Sequence, residues 1–150
     1  MACAIYHGTY IAQVAEVAID TKGQIHVERV WCAVDAGRLV HPDGARNQIE
    51  GGIQQAASWT LFEEVQIHEG EVMTMSLQDY HIASFNDAIH EIDVTFLSAQ
   101  EFSSTGTGEP GSVPMAAAIA NGVFDACGVR IRRLPLMLGA MQAAKQHSSS

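Results

Sequence analysis

Basic residues are scarce in this 150-residue chain: eight Lys and Arg stand against seventeen Asp and Glu, a formal net charge of −9. A surface of that sign repels phosphate backbones and anionic headgroups, which argues against a nucleic-acid or membrane partner. Cysteine is equally thin. Cys3, Cys32 and Cys127 are far apart and form no Cys-x-x-Cys pair, so neither a disulfide framework nor a zinc or iron–sulfur site is indicated, and buried free thiols are expected. The seven histidines show no His-x-x-x-His spacing, so no protein-ligated metal is expected. No stretch approaches the ~18 uninterrupted apolar residues of a membrane span, and no basic region followed by an apolar run opens the chain. Neither a span nor a signal peptide is read here, and the compartment, cytoplasmic or periplasmic, stays open.

What is present is ordinary globular composition, with 47% hydrophobic and 17% charged residues, enough for one domain or one piece of a larger one. From Tyr10 to Asp20 an apolar run broken by Gln13 and Glu16 reads as a strand largely buried on both faces. Thr21 to Gln24 is a turn, and Ile25 to Val34 returns as the antiparallel partner. A helix from about Pro42 to Phe62 carries Ala45, Ile49, Ile53, Ala57 and Leu61 as a clean apolar stripe. Gly51 and Gly52 sit inside it at a cost of ~1 kcal/mol each, which either the close approach of another backbone or a flat ligand would offset. Glu63–Gln66 and Glu71–Leu77 read as two short strands joined at His68-Glu69-Gly70, and His90–Leu97 as a half-buried strand. A second helix runs from Val113 to about Cys127 and stops at Gly128. Arg130–Leu134 reads as a last short strand, Leu136–Lys145 as a weak helix, and the terminal serines as a disordered tail. The order is that of an α+β fold: a mainly antiparallel sheet with two principal helices packed against it.

Chemistry is placed at Gly106-Thr107-Gly108-Glu109-Pro110-Gly111, a side-chain-poor loop that holds one carboxylate directly before a helix. Its glycines permit unusual backbone angles and close approach, while Pro110 biases Glu109 towards an extended conformation. Ser112 is the expected N-cap of the following helix. Taken alone, Glu109 is either a catalytic carboxylate or a turn acid balancing a helix dipole. The same glycines satisfy the Gly-x-Gly-x-x-Gly pattern of dinucleotide sites, but polar residues precede them, Pro110 removes an N–H, and the only acid about 20 residues on is Asp125, far down the helix. A dinucleotide site is therefore rejected.

Several motifs in series add up to a resemblance. Val34-Asp35-Ala36-Gly37-Arg38, Pro42-Asp43-Gly44, Gln48-Ile49-Glu50-Gly51-Gly52, Gly108-Glu109-Pro110-Gly111, Ala120-Asn121-Gly122-Val123-Phe124-Asp125-Ala126 and Arg130-Ile131-Arg132-Arg133-Leu134-Pro135 occur in that order. Together they resemble the C-terminal part of the molybdenum-binding subunit of the xanthine oxidase and aldehyde oxidase family, of the isoquinoline 1-oxidoreductase beta-subunit type. The resemblance covers nearly the whole chain, with residues 1–135 as a fragment of the molybdopterin-binding domain and 136–150 as a C-terminal helix and tail. It implies that Glu109 is the general base, and that Gln48, with Gly51, Gly52 and Gly108 beside it, meets the molybdopterin cofactor. The implied reaction oxidises an aldehyde or an N-heterocycle with water as oxygen source. The family often has Asn where His41 stands here, a poorer cap. The remaining cofactor contacts belong to parts absent from this chain, so the implied partners are the N-terminal part of the molybdenum subunit and an iron–sulfur subunit. The cofactor is expected only in that complete assembly, and the chain alone is expected to be inactive. The alternative is a stand-alone remnant acting as an interaction or structural module in the form of a homo-oligomer.

Overall fold

The computed structural model describes residues 1–97 and 102–136, and it opens on a hairpin of which only the second strand is expected from the apolar pattern. β1 (Ala2–Tyr6) turns at His7-Gly8, both at positive φ (47° and 89°), and returns antiparallel as β2 (Thr9–Ile19). A two-residue turn with positive φ at both positions matches the twist of the strands it joins. β3 (Ile25–Asp35) then pairs antiparallel with β2 after the expected turn.

β2 is not buried on both faces. Thr9, Ile11, Gln13 and Ala15 are buried, while Tyr10, Val14 and Glu16 are exposed. Both helices contribute to a single apolar core on one side of the sheet, in which Ile11, Val30, Cys32 and Val34 meet Ile49, Ile53, Met115 and Ile119. The alternation of β2 is therefore that of a one-sided strand.

α1 (Pro42–Leu61) forms as its stripe dictates, with Ala45, Ile49, Ile53, Ala57 and Leu61 all buried. Removing an isoleucine such as Ile49 or Ile53 wholly from water contributes about 1.5–3 kcal/mol. His41 serves as the N-cap after all: its Nδ1 accepts from the Gly44 N–H at 2.7 Å, doing the work of an asparagine oxygen.

The strands expected over 63–77 shrink to two-residue pieces, β4 (Ile67–His68) and β5 (Glu71–Val72), which turn at Glu69-Gly70. All four strand residues are exposed, so no buried face drives a longer ladder. The chain stays irregular to a 3₁₀ turn at Phe85–Asp87 and is tied to α1 by its side chains. Gln54 pairs with Ile89 like a neighbouring strand, donating to its carbonyl at 2.8 Å and accepting its N–H at 3.0 Å. Ser58 Oγ accepts the Ala83 N–H at 2.9 Å.

β6 (Glu91–Phe96) completes a sheet of order β1-β2-β3-β6 by pairing parallel with β3, because α1 and its connections carry the chain across to the same end. α2 is Met115–Cys127 and starts later than expected. Pro110–Ser112 forms a 3₁₀ turn, the Ser112 hydroxyl donates to the Glu109 carbonyl at 2.9 Å, and Pro114 rather than Ser112 holds the N-cap position. Gly128 closes α2 in the left-handed conformation, φ 71°, as expected. Arg130–Leu134 makes no strand. Arg130 bonds Asn121 Oδ1 at 2.7 Å and lies over the Phe124 ring, and Arg133 pairs with Glu64 at 3.3 Å. Leu136 is buried and donates its N–H to the Thr60 carbonyl at 2.7 Å; the rest of the expected 136–145 helix and the tail lie outside the described residues.

Cys32 is buried, Cys127 half-buried and Cys3 exposed, so the thiols are not uniformly enclosed. Among the described residues, no helix is long and apolar enough to cross a membrane, and no group of His, Cys, Asp or Glu side chains is placed to hold a metal ion.

Candidate functional site

The N-terminal half of α1, the chain leaving β3 and the start of β2 enclose the loop that carries Glu109. The loop enters alongside the end of β3: the Arg38 N–H donates to the Phe102 carbonyl and the Thr105 N–H to the Ala36 carbonyl, both at 3.1 Å. Further on, the Thr9 hydroxyl donates to the Gly106 carbonyl at 2.8 Å and Gln13 Nε2 to the Gly111 carbonyl at 2.8 Å. Gly106 occupies the left-handed region at φ 97°, which lets the chain turn between these attachments.

Backbone meets backbone where the loop reaches α1. A Cβ on Gly111 would lie 3.0 Å from Ile49 Cα, and one on Gly52 would lie 3.1 Å from the Ser112 nitrogen. The two glycines thus seat the Pro110–Ser112 turn on the helix. Gly52 makes room for protein backbone, whereas a Cβ on Gly51 would meet nothing within 4 Å. Of the two alternatives for this glycine pair, the close approach of another backbone holds at Gly52, while the space beside Gly51 is open.

Glu109 is exposed, with φ −102° and ψ −22°. This is a helical conformation rather than the extended one that Pro110 would favour, because Glu109 is the N-cap of the 3₁₀ turn and its carbonyl accepts the Ser112 N–H at 3.0 Å. Among the described residues its carboxylate has no hydrogen-bonding or ion-pairing partner. Gln48 is also exposed, and its Nε2 is the nearest neighbour to where a Gly108 Cβ would stand, at 3.9 Å.

The fold therefore brings Gln48, Gly108 and Glu109 to one place, with Gly51 three residues along the same helix face from Gln48. A free carboxamide, a stretch of backbone without side chains and an unblocked helix surface suit a flat, polar ring system that needs one donor–acceptor pair. Thr9 and Gln13 were not expected to take part. The available signal was two polar residues at i and i+4 on one face of an apolar strand, which cost desolvation unless they bond.

Residues 4–89 match a family described as the molybdopterin cofactor-binding domain, a span that includes Gln48, Gly51 and Gly52 and ends before the Glu109 loop. A nicotinate dehydrogenase subunit of Pseudomonas putida is 41% identical over 93% of this chain and 12% of its own length. The beta subunit of isoquinoline 1-oxidoreductase of Brevundimonas diminuta is 32% identical over 87% of this chain and 17% of its own length. The chain thus spans less than a fifth of these relatives. The crystal structure of quinoline 2-oxidoreductase from Pseudomonas putida superposes with a TM-score of 0.83 at 27% identity, over 92% of this chain and 19% of that one.

Proposed function

The chain belongs to the molybdopterin cofactor-binding domain family, and we propose that in a complete molybdenum hydroxylase it supplies the general base, Glu109, and a cofactor contact, Gln48. The reaction is the oxidation of an aldehyde or an N-heterocycle with water as oxygen source. The observation that supports this reading most is the adjacency of Gln48 and Gly108-Glu109, with Gln48 Nε2 3.9 Å from the Gly108 Cβ position. Bound molybdenum cofactor would supply the centre that takes the hydrogen of the broken substrate C–H bond together with its two electrons. The Gln48 carboxamide donates and accepts at once, Gly51 and Gly108 leave room for a ring system, and the Glu109 carboxylate takes up the proton lost as oxygen bonds to the substrate carbon.

The remainder of the molybdenum subunit and an iron–sulfur subunit complete the enzyme. Small-ligand sites bury roughly 70–90% of the ligand, whereas Gln48 and Glu109 both lie exposed here. The purified chain is therefore expected to hold no stoichiometric molybdenum and to lack oxidase activity, which metal analysis checks. In the complete enzyme, Glu109→Gln removes the base while keeping size and hydrogen-bonding shape. Turnover should fall by ~10²–10⁴-fold at unchanged molybdenum content. Retained turnover would overturn the assignment.

A second reading, a stand-alone oligomeric module, is favoured by the sheet's outer face. Ile5, Tyr10, Val14 and Trp31 are exposed there, and Ile5, Tyr10, Ala12, Ala33 and Leu97 line a shallow depression of about 660 Å³. Patches of this kind mark interfaces. A monomeric mass for the isolated chain in solution would count against this reading.

A further inference from the structure

Glu109 is exposed on a loop whose one buried side chain is Pro110, so its position depends largely on what holds the backbone on either side. Two side chains of β2 do this. Thr9 and Gln13 are both fully buried on the inner face of the strand, four residues apart, on the face that also carries buried Ile11 and Ala15. The Thr9 hydroxyl bonds the Gly106 carbonyl at 2.8 Å and shares a second hydrogen bond with the Thr105 hydroxyl at 2.7 Å. Gln13 Nε2 bonds the Gly111 carbonyl at 2.8 Å and reaches Cys32 Sγ at 3.8 Å.

The Gly111 carbonyl can only accept, so it fixes the amide of Gln13 with nitrogen towards the loop. That leaves Gln13 Oε1 buried with no hydrogen-bond partner among the described residues. A core strand that tolerates an orphaned amide oxygen to place one donor on one loop carbonyl is specialised for that bond. The two bonded carbonyls bracket Glu109, three residues before it and two after. Because both anchors stand on one rigid strand, the span between them is fixed at both ends.

We propose that Thr9 and Gln13 are positioning residues for Glu109: the pair clamps the Gly106–Gly111 segment onto β2 and so sets where the carboxylate is presented beside Gln48. The inference rests on the reading of Glu109 as the base. It assigns no contact with substrate or cofactor to either residue. A displacement of about 1 Å at a reacting group is enough to lose ~10²-fold in rate, so loosening either end should act on kcat.

Two measurements test this on Thr9→Val, Thr9→Ser and Gln13→Leu. In the folded 150-residue chain, amide hydrogen exchange is read at the loop's bonded N–H groups of Thr105, Ser112 and Val113 and at Ile53 within α1. Thr9→Val and Gln13→Leu should speed exchange at the loop amides by about tenfold or more while Ile53 stays within about twofold, which a general loss of stability would not produce. In the complete enzyme, kcat per molybdenum should fall by about 10–100-fold in both variants with KM little changed, and Thr9→Ser, which keeps the hydroxyl, should restore it. The two variants remove separate anchors, so a folding failure in one leaves the other to decide. Exchange that rises uniformly, or kcat per molybdenum that is unchanged in Thr9→Val, overturns the inference. Glu109→Gln distinguishes the two levels. Retained turnover in it overturns the base assignment and this inference together, whereas lost turnover in it with full kcat in the anchor variants overturns the inference alone.

Discussion

Two connections in this molecule differ in how closely they meet the rest of the fold. The loop 102–112 buries little side chain beyond Pro110, yet its carbonyls at Phe102, Gly106 and Gly111 all accept hydrogen bonds from elsewhere in the fold, and its turn sits in contact with the α1 backbone at Gly52. The segment 63–90 is rich in large apolar side chains, but Ile67, Met75, Leu77 and Phe85 are each more than two-thirds exposed. It is held by Gln54 and Ser58 of α1, by the Tyr80 hydroxyl on Glu63 at 2.8 Å and by the Phe62–His81 stack at 4.8 Å. Apolar content does not decide which connection is fixed. Both connections have polar anchors, the buried Ser58 among them, and the loop that carries the carboxylate adds glycine-to-backbone contact.

The comparison breaks most severely at Gly111. A Gly111→Ala side chain would press on the Ile49 carbonyl oxygen and Cα, and backbone on both sides leaves nothing flexible to yield. We expect a loss of about 3 kcal/mol, at the upper end of overpacking, read from the urea midpoint, and a fall in kcat per molybdenum of ~10²-fold as the turn lifts from the helix. Gln54→Ala tests the other connection. It frees both the N–H and the carbonyl of Ile89, so stability should drop by about 1 kcal/mol while kcat per molybdenum stays at the wild-type value. If Gln54→Ala lowers kcat as Gly111→Ala does, the two connections are not distinct.

pH sharpens the contrast from beneath the anchored loop. Burial pushes the Cys32 thiol up to about 11 from its ordinary 9.0, opposed only in part by the Gln13 amide. The folded chain keeps that proton where the unfolded chain loses it, so the stability it contributes is complete below pH 9.0 and is lost as pH rises towards about 11. Urea unfolding across that range should show the decline, and Cys32→Ala should flatten it. A thiol reagent at pH 8 should modify exposed Cys3 and spare Cys32 in the folded chain. The smallest effect is expected in segment 63–90: Leu77→Ser, at a residue 81% exposed, should move the unfolding free energy by no more than about 0.5 kcal/mol.

Much of this was legible in the sequence for physical reasons. α1 announced itself through an unbroken i, i+4 stripe from Ala45 to Leu61, and the β2–β3 hairpin through a polar turn between apolar runs. Glu109 stood out as the one acid in a run of glycine and proline directly before a helix, although the extended conformation expected ahead of Pro110 did not form. The edge strand β1 was missed because five residues carry little periodicity, although His7-Gly8 before a new apolar run is a hairpin signal. Gln13 read as a blemish in an apolar run because a pattern of polarity records the cost of burial and not the partner that offsets it. The strand expected at Arg130–Leu134 failed for a related reason: its arginines found Phe124, Asn121 and Glu64 within the chain. Parallel pairing of β6 was equally out of reach, since periodicity gives a strand its faces and not its neighbour.

The central claim is that Glu109, held beside Gln48, moves the proton in the step that oxidises the substrate. Its most direct test is the reductive half-reaction of the complete enzyme, followed anaerobically by stopped flow with excess substrate, for the wild type and Glu109→Gln at equal molybdenum content. The account predicts that Glu109→Gln is reduced at least ~10²-fold more slowly than the wild type. Equal rates would contradict it.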